Sequence, residues 1–502
     1  MLAVSLHAWA RFISPGYDLY WFSQAISNVI LGNGLVTSSE RLYPSLLVQH
    51  WEPILYTAVP FAFVLPDTIA IVIWQVLGFA LGTGGAWKVA SFLFKNYENK
   101  NIIYLLTLFY VFSWANINPI SFDIHPPVFG GLLFIPWIIY FILQQKPFKL
   151  FICLFLLLNC GEIYFAIVPT YICYYILNKK LNLFNIMLSI IIYLSGFIAI
   201  GIYQKYIGPL WSGLPFNYTD RYANIGGDGL GILKTFISSP MLVIGELFSL
   251  GKIKLFLKLL TYYGFLPLFS IFHSNKKLLV LTLWGGTLAY FIQAGLTSYE
   301  PIYSTNTHYI SAIGSQWWVL SILGIHAILF EKNIFLNKFK IFFAKNALIP
   351  FFLALFFLNS SEWRKSPLYP IRGVIEKDLA DNEIRTFLAE LPKEYGALFS
   401  GTEWLCPLTV EKREHILCEL GGEYFLEKMP LNVIIFTKNE LLNFYNKLPD
   451  KTKYSNNGKI IFYILNDNKI LDEIQWKKIL QKKQWKNKNE VVEYELWANV
   501  KK

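Results

Sequence analysis

Long apolar stretches alternate with short polar ones along most of the chain, and many approach the roughly 20 mostly apolar residues that a membrane span requires. They fall at Thr68–Trp87, Ile102–Ile117, Val128–Leu143, Leu183–Tyr203, Leu259–Phe272, Leu278–Ala294, Ile313–Phe330 and Ala347–Leu358. Several are short, so their helices must borrow flanking residues. Leu150–Leu177 is long, but Asn159, Cys160, Gly161 and Glu162 interrupt it. That break predicts two short helices in a hairpin, with Glu162 at the tip. Pro53–Val64 is apolar yet too short to span before Pro66-Asp67, so it is expected at the interface or as a re-entrant segment. Met1–Ala10 is also too short; the expectation is a start that lies upstream, or else a partial first helix. The pattern as a whole predicts a mainly α, polytopic transmembrane bundle of roughly 10–11 spans.

The pattern changes after residue 358. Charge rises and long apolar runs stop. Asn382–Leu391 (NEIRTFLAEL) places Ile384, Phe387 and Leu388 on one side of a helix, while Asn432–Phe436 and Lys459–Leu465 read as buried strands. Two domains are expected: a transmembrane domain over 1–358 and a soluble α/β domain over 359–502.

Composition agrees. Of 502 residues, 55% are hydrophobic and only 15% charged, against about 25% charged in ordinary soluble chains. The net charge of +11 is mostly lysine, which in a membrane chain points to cytoplasmic loops and away from nucleic acid. Lys95 and Lys100, Lys146 and Lys149, Lys179 and Lys180, Lys276 and Lys277, and the run Lys332, Lys338, Lys340, Lys345 occupy alternate loops. The loops between them at Asn118–Pro127 and Gly295–His308 contain no Lys or Arg. By the positive-inside rule, Asp18, Asp123, Glu162, the segment after Gly208 and the C-terminal domain face outward. Lys252, Lys254 and Lys258 fit this scheme poorly unless they lie on an interfacial helix. Cys406 and Cys418 are the two cysteines of the polar domain, so an oxidising exterior makes them a candidate disulfide.

Candidate chemistry then gathers on one side. Asp18, Arg41, His50 and Glu52 precede the first full span; Asp123 and His125 lie in Ser121–Pro127 (SFDIHPP); Glu162 tips the hairpin; Arg221 and His308 lie in later outer loops. Ionisable groups within membrane sequence are costly and point to function by default. Each also has a structural alternative: Asp18 as a helix cap, His50 and Glu52 as solvated loop residues, and Asp123 with His125 as a turn before two prolines. Asp18, Asp123 and His125 are also the candidate ligands for a divalent metal, Mg or Mn, although their spacing is not diagnostic. Gly78 and Gly82 lie inside an apolar span at small-xxx-small spacing, which suits close helix packing better than phosphate binding.

Tyr17–Gly34, Gln49–Pro60 (QHWEPILYTAVP), Phe122–Phe134 (FDIHPPVFGGLLF), Gly161–Phe165 (GEIYF), Asp220–Pro240 and Gly396–Ile416 resemble, in order and spacing, the landmarks of an uncharacterised family of bacterial and archaeal membrane proteins. That family is similar to the GT-C glycosyltransferase superfamily. The resemblance implies an inverting transferase that moves a sugar from a polyprenyl-phosphate donor to a glycan, lipid or protein acceptor. It would act at the outer face of a bacterial inner (plasma) membrane. Asp18 matches the superfamily's acid in the first outer loop and would be the catalytic base. Arg41, His50, Glu52, Asp123, His125, Glu162, Arg221 and His308 would bind substrate, the basic ones on the phosphate side. Gly161 departs from the family's usual lysine. Two other classes stay open: a transporter or flippase for a lipid-linked or anionic substrate, marked by inverted repeats and mid-membrane polar residues, and a non-catalytic scaffold presenting the outer domain.

Overall fold

The computed structural model describes residues 17–37, 45–122, 124–212, 219–227, 229–299, 308–332, 336–337, 339–340 and 348–362, and five strands between 396 and 471. The chain is mainly helical. Its principal helices are α1 (Tyr17–Ile30), α2 (Asp67–Leu93), α3 (Asn101–Phe112), α4 (Trp114–Phe122), α5 (Pro126–Leu143), α6 (Pro147–Leu158) and α7 (Ile163–Lys179). There follow α8 (Leu183–Ile202), α9 (Pro240–Leu247), α10 (Leu250–Tyr262), α11 (Leu266–Phe269), α12 (Lys277–Leu296), α13 (Ser311–Phe330) and α14 (Leu348–Glu362).

Among the described residues five helices are long and apolar enough to cross a membrane, or up to seven if each of two bent pairs counts as one span. The described residues thus show several candidate spans, fewer than the ten or eleven expected of the whole chain. The reason is that several apolar runs do not form single straight helices. The run at Leu150–Leu177 is indeed a hairpin, α6 and α7, of 12 and 17 residues. Pro53–Val64 makes only a 3-10 turn, Pro53–Thr57, and one turn of helix, Val59–Ala62. The run starting at Ala347 becomes α14, whose apolar part is Ile349–Asn359.

The two bent pairs are α3 with α4, at 44°, and α9–α10 with the segment Leu266–Phe272, at 79°. Ser113 takes an extended conformation at the first break. Gly264 and Phe265 take left-handed ones at the second, with φ of +61° and +55°. A break strands backbone groups that hydrocarbon cannot hydrogen-bond. One side chain serves both breaks. Asn359 of α14, fully buried, accepts from the Trp114 amide at 2.8 Å and donates to the Tyr262 carbonyl at 3.0 Å.

The chain divides into two compact units. One comprises Met1–Ser5, Leu47–Leu55 and Ile73–Tyr369; the other Leu6–Leu46, Tyr56–Val72 and Pro370–Lys502. Within the first, α2 and α5 approach closely through the expected glycines. A Cβ on Gly78 would lie 2.4 Å from the Phe129 ring, and one on Gly82 would lie 1.9 Å from the Leu132 carbonyl oxygen. Small residues permit this contact where apolar burial alone gives helices no reason to leave lipid. At the centre, α13 is buried on every side from Ser311 to Ile325. Helix α8 is the opposite case. It starts at Asn182, whose side chain accepts from the Asn185 amide, and its apolar span runs on to Leu210 with only 17% of the tested stretch buried. Such a surface belongs against lipid chains.

The lysine pattern gains a physical reading. At one end of the first unit, Phe94 and Tyr97 pack on Phe330, and Ser274 bonds to Glu331. These residues adjoin the lysine-bearing loops. At the other end of α12, Ser298 bonds to the Arg221 carbonyl. The misfit Lys252 is buried; its ammonium meets Glu246 at 2.5 Å and the Gly295 carbonyl at 2.5 Å, at the C-terminal end of α12. Its charge is neutralised inside the protein, so it does not count as a loop lysine.

In the second unit the described strands are β1 (Gly396–Ser400), β2 (Ile416–Leu417), β3 (Leu431–Thr437), β4 (Ile461–Asn466) and β5 (Lys469–Leu471), in the order β2-β1-β3-β4-β5. All neighbours are parallel except β4 and β5. The helix expected at Asn382–Leu391 and the cysteines Cys406 and Cys418 lie outside the described residues.

Candidate functional site

The residues that converge are His50, Trp51, Glu52, Glu162 and Arg221. Glu162 precedes α7 at the position of a helix cap, yet caps nothing. The turn before it explains why. Gly161 has φ of +142°, and a Cβ there would meet the Pro127 ring at 3.0 Å. That backbone conformation favours glycine. The turn sends the Glu162 carboxylate across to a segment more than a hundred residues earlier. Oε1 lies 3.0 Å from His50 Nδ1, and Oε2 accepts from the Trp51 amide at 3.3 Å. The Ile54 amide donates to the Asn159 carbonyl at 3.0 Å, pinning the same segment to the hairpin.

Aromatic rings fix this segment from the other side. Trp51 packs between Phe165 and Tyr203, with centroids 6.4 and 6.1 Å away. Tyr203 begins a π-helical turn, Tyr203–Ile207, where α8 widens, and its hydroxyl donates to the Leu47 carbonyl at 2.5 Å. Single π-turns of this kind often mark functional positions in helices.

Burial works against charge on His50, but the charge and hydrogen bond of Glu162, with a smaller contribution from Glu52, outweigh it and hold His50 above its ordinary value of 6.5. Arg221 acts in the opposite sense. Burial also penalises the Glu162 carboxylate. His50, the Trp51 amide and its own backbone amide overcome that penalty and hold Glu162 below its ordinary 4.5. Glu52 is buried, at 2% exposure.

Arg221 sits on the 3-10 turn Thr219–Ile225. The turn is anchored at both ends. The Arg221 carbonyl accepts from the Ser298 amide and hydroxyl and from the Thr297 hydroxyl, and Asn224 donates to Glu246 at 2.6 Å. The Arg221 guanidinium lies over the Tyr299 ring, 4.2 Å from its centroid, a cation–π contact.

The other expected residues fare differently. Asp18 lies in the first turn of α1, where a carboxylate suits the helix dipole; it belongs to the second unit, whereas His50, Glu162 and Arg221 belong to the first. His125 is buried ahead of α5, and its amide donates to Gln75 at 2.9 Å. Two residues on, Pro127 abuts Gly161, so the start of α5 borders the hairpin turn. His308 opens a 3-10 turn, His308–Ile310. Arg41 and Asp123 lie outside the described residues. Among the described residues no group of three His, Cys, Asp or Glu is placed to hold a metal ion.

Sequence reasoning passed over the aromatic setting of the site, Trp51, Tyr203 and Tyr299, because 18% of the chain is aromatic and nothing local distinguishes these three. It also passed over a cluster at the lysine-bearing end. There His273 and His326 stack at 4.8 Å with planes 9° apart, and His273 Nδ1 lies 3.3 Å from Glu331.

The sequence pattern of a family described as Predicted membrane protein (DUF2079) matches residues 8–440. No curated protein and no solved structure matches the chain.

Proposed function

Since the chain belongs to the DUF2079 family of membrane proteins, we propose that it is a GT-C-like inverting glycosyltransferase using a polyprenyl-phosphate sugar. The observation that carries this reading is the His50–Glu162 pair with Arg221 alongside. The pair stands at the end of the bundle away from the lysine-bearing loops, which is the outer face by the positive-inside rule. Carrier phosphates lie at that level of the membrane. On the same reading the strands after residue 396 belong to an α/β domain outside the membrane, and the host membrane is the bacterial inner membrane.

The chemistry has few parts. An acceptor hydroxyl oxygen attacks C1 of the sugar. The bond from C1 to the phosphate oxygen breaks with inversion, and polyprenyl phosphate leaves with the bonding electrons. The hydroxyl proton passes to a carboxylate, which the superfamily resemblance assigns to Asp18. Directed cations oppose the charge that develops on the departing phosphate, and His50 and Arg221 supply them. The acceptor is a glycan, lipid or protein, and its hydroxyl is the only group the reaction demands.

The test is transfer from a polyprenyl-phosphate sugar by purified wild type and Asp18→Asn at matched folded concentration. Loss of a proton-accepting carboxylate is expected to slow transfer by about 10²–10⁴-fold with donor binding retained. His50→Ala and Arg221→Ala are expected to weaken donor binding. Equal transfer rates in wild type and Asp18→Asn remove Asp18 from catalysis.

One observation favours a transporter instead. Gln316 of α13 is fully buried, and among the described residues neither of its amide atoms has a hydrogen-bond partner. An uncommitted polar group inside a bundle is typical of a permeation path. Movement of a lipid-linked sugar across vesicles that survives Asp18→Asn and fails in Gln316→Leu would select that reading.

A further inference from the structure

Both carboxylate oxygens of Glu162 are engaged by the chain itself, Oε1 with His50 and Oε2 with the Trp51 amide. This leaves Glu162 poorly suited to bind substrate directly. What it does is fix another residue. His50 follows the short helix Leu46–Gln49 in an irregular stretch that cannot orient a ring by its own backbone hydrogen bonds. Contacts from outside the stretch help hold it: the Glu162 carboxylate, the Asn159 carbonyl that holds Ile54, and the aromatic seat of Trp51. Gly161 and its contact with Pro127 in turn fix where Glu162 points. Arg221 is fixed independently, through its carbonyl and through Tyr299.

We propose that Glu162 is a positioning residue that seats His50 as a fixed cation, and that His50 and Arg221 together take up the phosphoryl oxygens of a lipid-linked phosphate ester. The ligand chemistry rests on the transferase reading; the positioning role does not. Among the described residues, the carboxylates of Glu162 and Glu52 and the cations of His50 and Arg221 meet here. The hydroxyl of Tyr222 and the thiol of Cys160 are the neighbouring neutral titratable groups. Recognition depends on donors held at a set spacing, and Glu162 sets one of them.

The experiment uses the full chain in detergent. The ring carbon resonance of His50, identified by its loss in His50→Gln, is followed against pH in wild type, Glu162→Gln and Glu162→Asp. Farnesyl phosphate binding is measured across the same range, with inorganic phosphate and an anionic phospholipid as comparison probes. In wild type, His50 is expected to titrate above the ordinary histidine range, and farnesyl phosphate binding to weaken as pH rises through that titration. Glu162→Gln is expected to move both events to lower pH and to weaken binding near neutrality. Glu162→Asp keeps the charge and is expected to retain the raised titration. If Glu162→Gln does not fold, the wild-type and Glu162→Asp titrations decide the matter. His50 titrating in or below the ordinary range overturns the positioning role. Farnesyl phosphate binding that ignores both pH and His50→Gln overturns the phosphoryl assignment, and the transfer assay then judges the transferase reading separately. Equal binding of inorganic phosphate or of phospholipid overturns the lipid-linked ester as the ligand.

Discussion

At His50 and Glu162 the proton count decides whether the loop before the first span is tied to the hairpin. Because His50 is held above 6.5 when folded, the stability it contributes is complete below that value and is lost as pH rises through its raised pKa. Because Glu162 is held below 4.5, its contribution is complete above that value and is lost as pH falls through its lowered one. The linked stability is therefore complete between 4.5 and 6.5, and the ion pair itself breaks only as pH passes the raised His50 value or falls below the lowered Glu162 one. The difference in Tm between wild type and Glu162→Gln, measured in detergent across pH, is expected to be largest in that window. A difference that is flat with pH would show that the pair carries no linked protons. Asn359 is the second case at this scale. Replacing it with leucine keeps the volume and strands the Trp114 amide and the Tyr262 carbonyl. Each unmet buried group is expected to cost about 1–3 kcal/mol, read as a fall in Tm. Neither role was legible beforehand. A glutamate beside a glycine and an asparagine near the end of an apolar run have no local signal that says which distant backbone they will meet.

Between elements, the glycines divide by what stands opposite them. On α2 a Cβ at Gly82 would overlap the Leu132 carbonyl oxygen, whereas on α8 a Cβ at Gly201 would meet nothing within 4 Å. Gly82→Ala is expected to force α2 and α5 apart and lower the Tm sharply. Gly201→Ala is expected to be neutral or stabilising by up to about 1 kcal/mol, from helix propensity alone. Similar losses at both positions would contradict the α2–α5 packing. The Gly78 and Gly82 spacing was readable because a four-residue period puts both glycines on one helix face. The α6–α7 hairpin was readable because a polar tetrad cut the apolar run. The breaks after Phe112 and Tyr262 were not. Their flanks are mostly apolar, and the bends are set by packing and by Asn359.

At the largest scale, the first compact unit is a bundle with two chemically distinct ends. Helix α12 has 20 residues, so its ends lie about 30 Å apart. The Ser274–Glu331 contacts mark one end and the Ser298–Arg221 contacts the other. In a chain freed of its native cysteines, Ala223→Cys is expected to react with a membrane-impermeant maleimide on intact cells. Asn275→Cys is expected to react only after lysis. The reverse pattern would put Arg221 and His50 inside the cell and end the outer-face proposal.

Length and hydropathy were enough to determine a polytopic helical membrane protein and the hairpin, because span length and its interruption are properties of consecutive residues. Which polar groups meet was settled only by tertiary structure. His50 and Glu162 are 112 positions apart, and their pairing depends on a left-handed glycine, a π-turn and a proline ring that bring two loops to one place. Which of the described apolar runs stay straight was decided there too, since a bend depends on a partner for the backbone groups that it exposes.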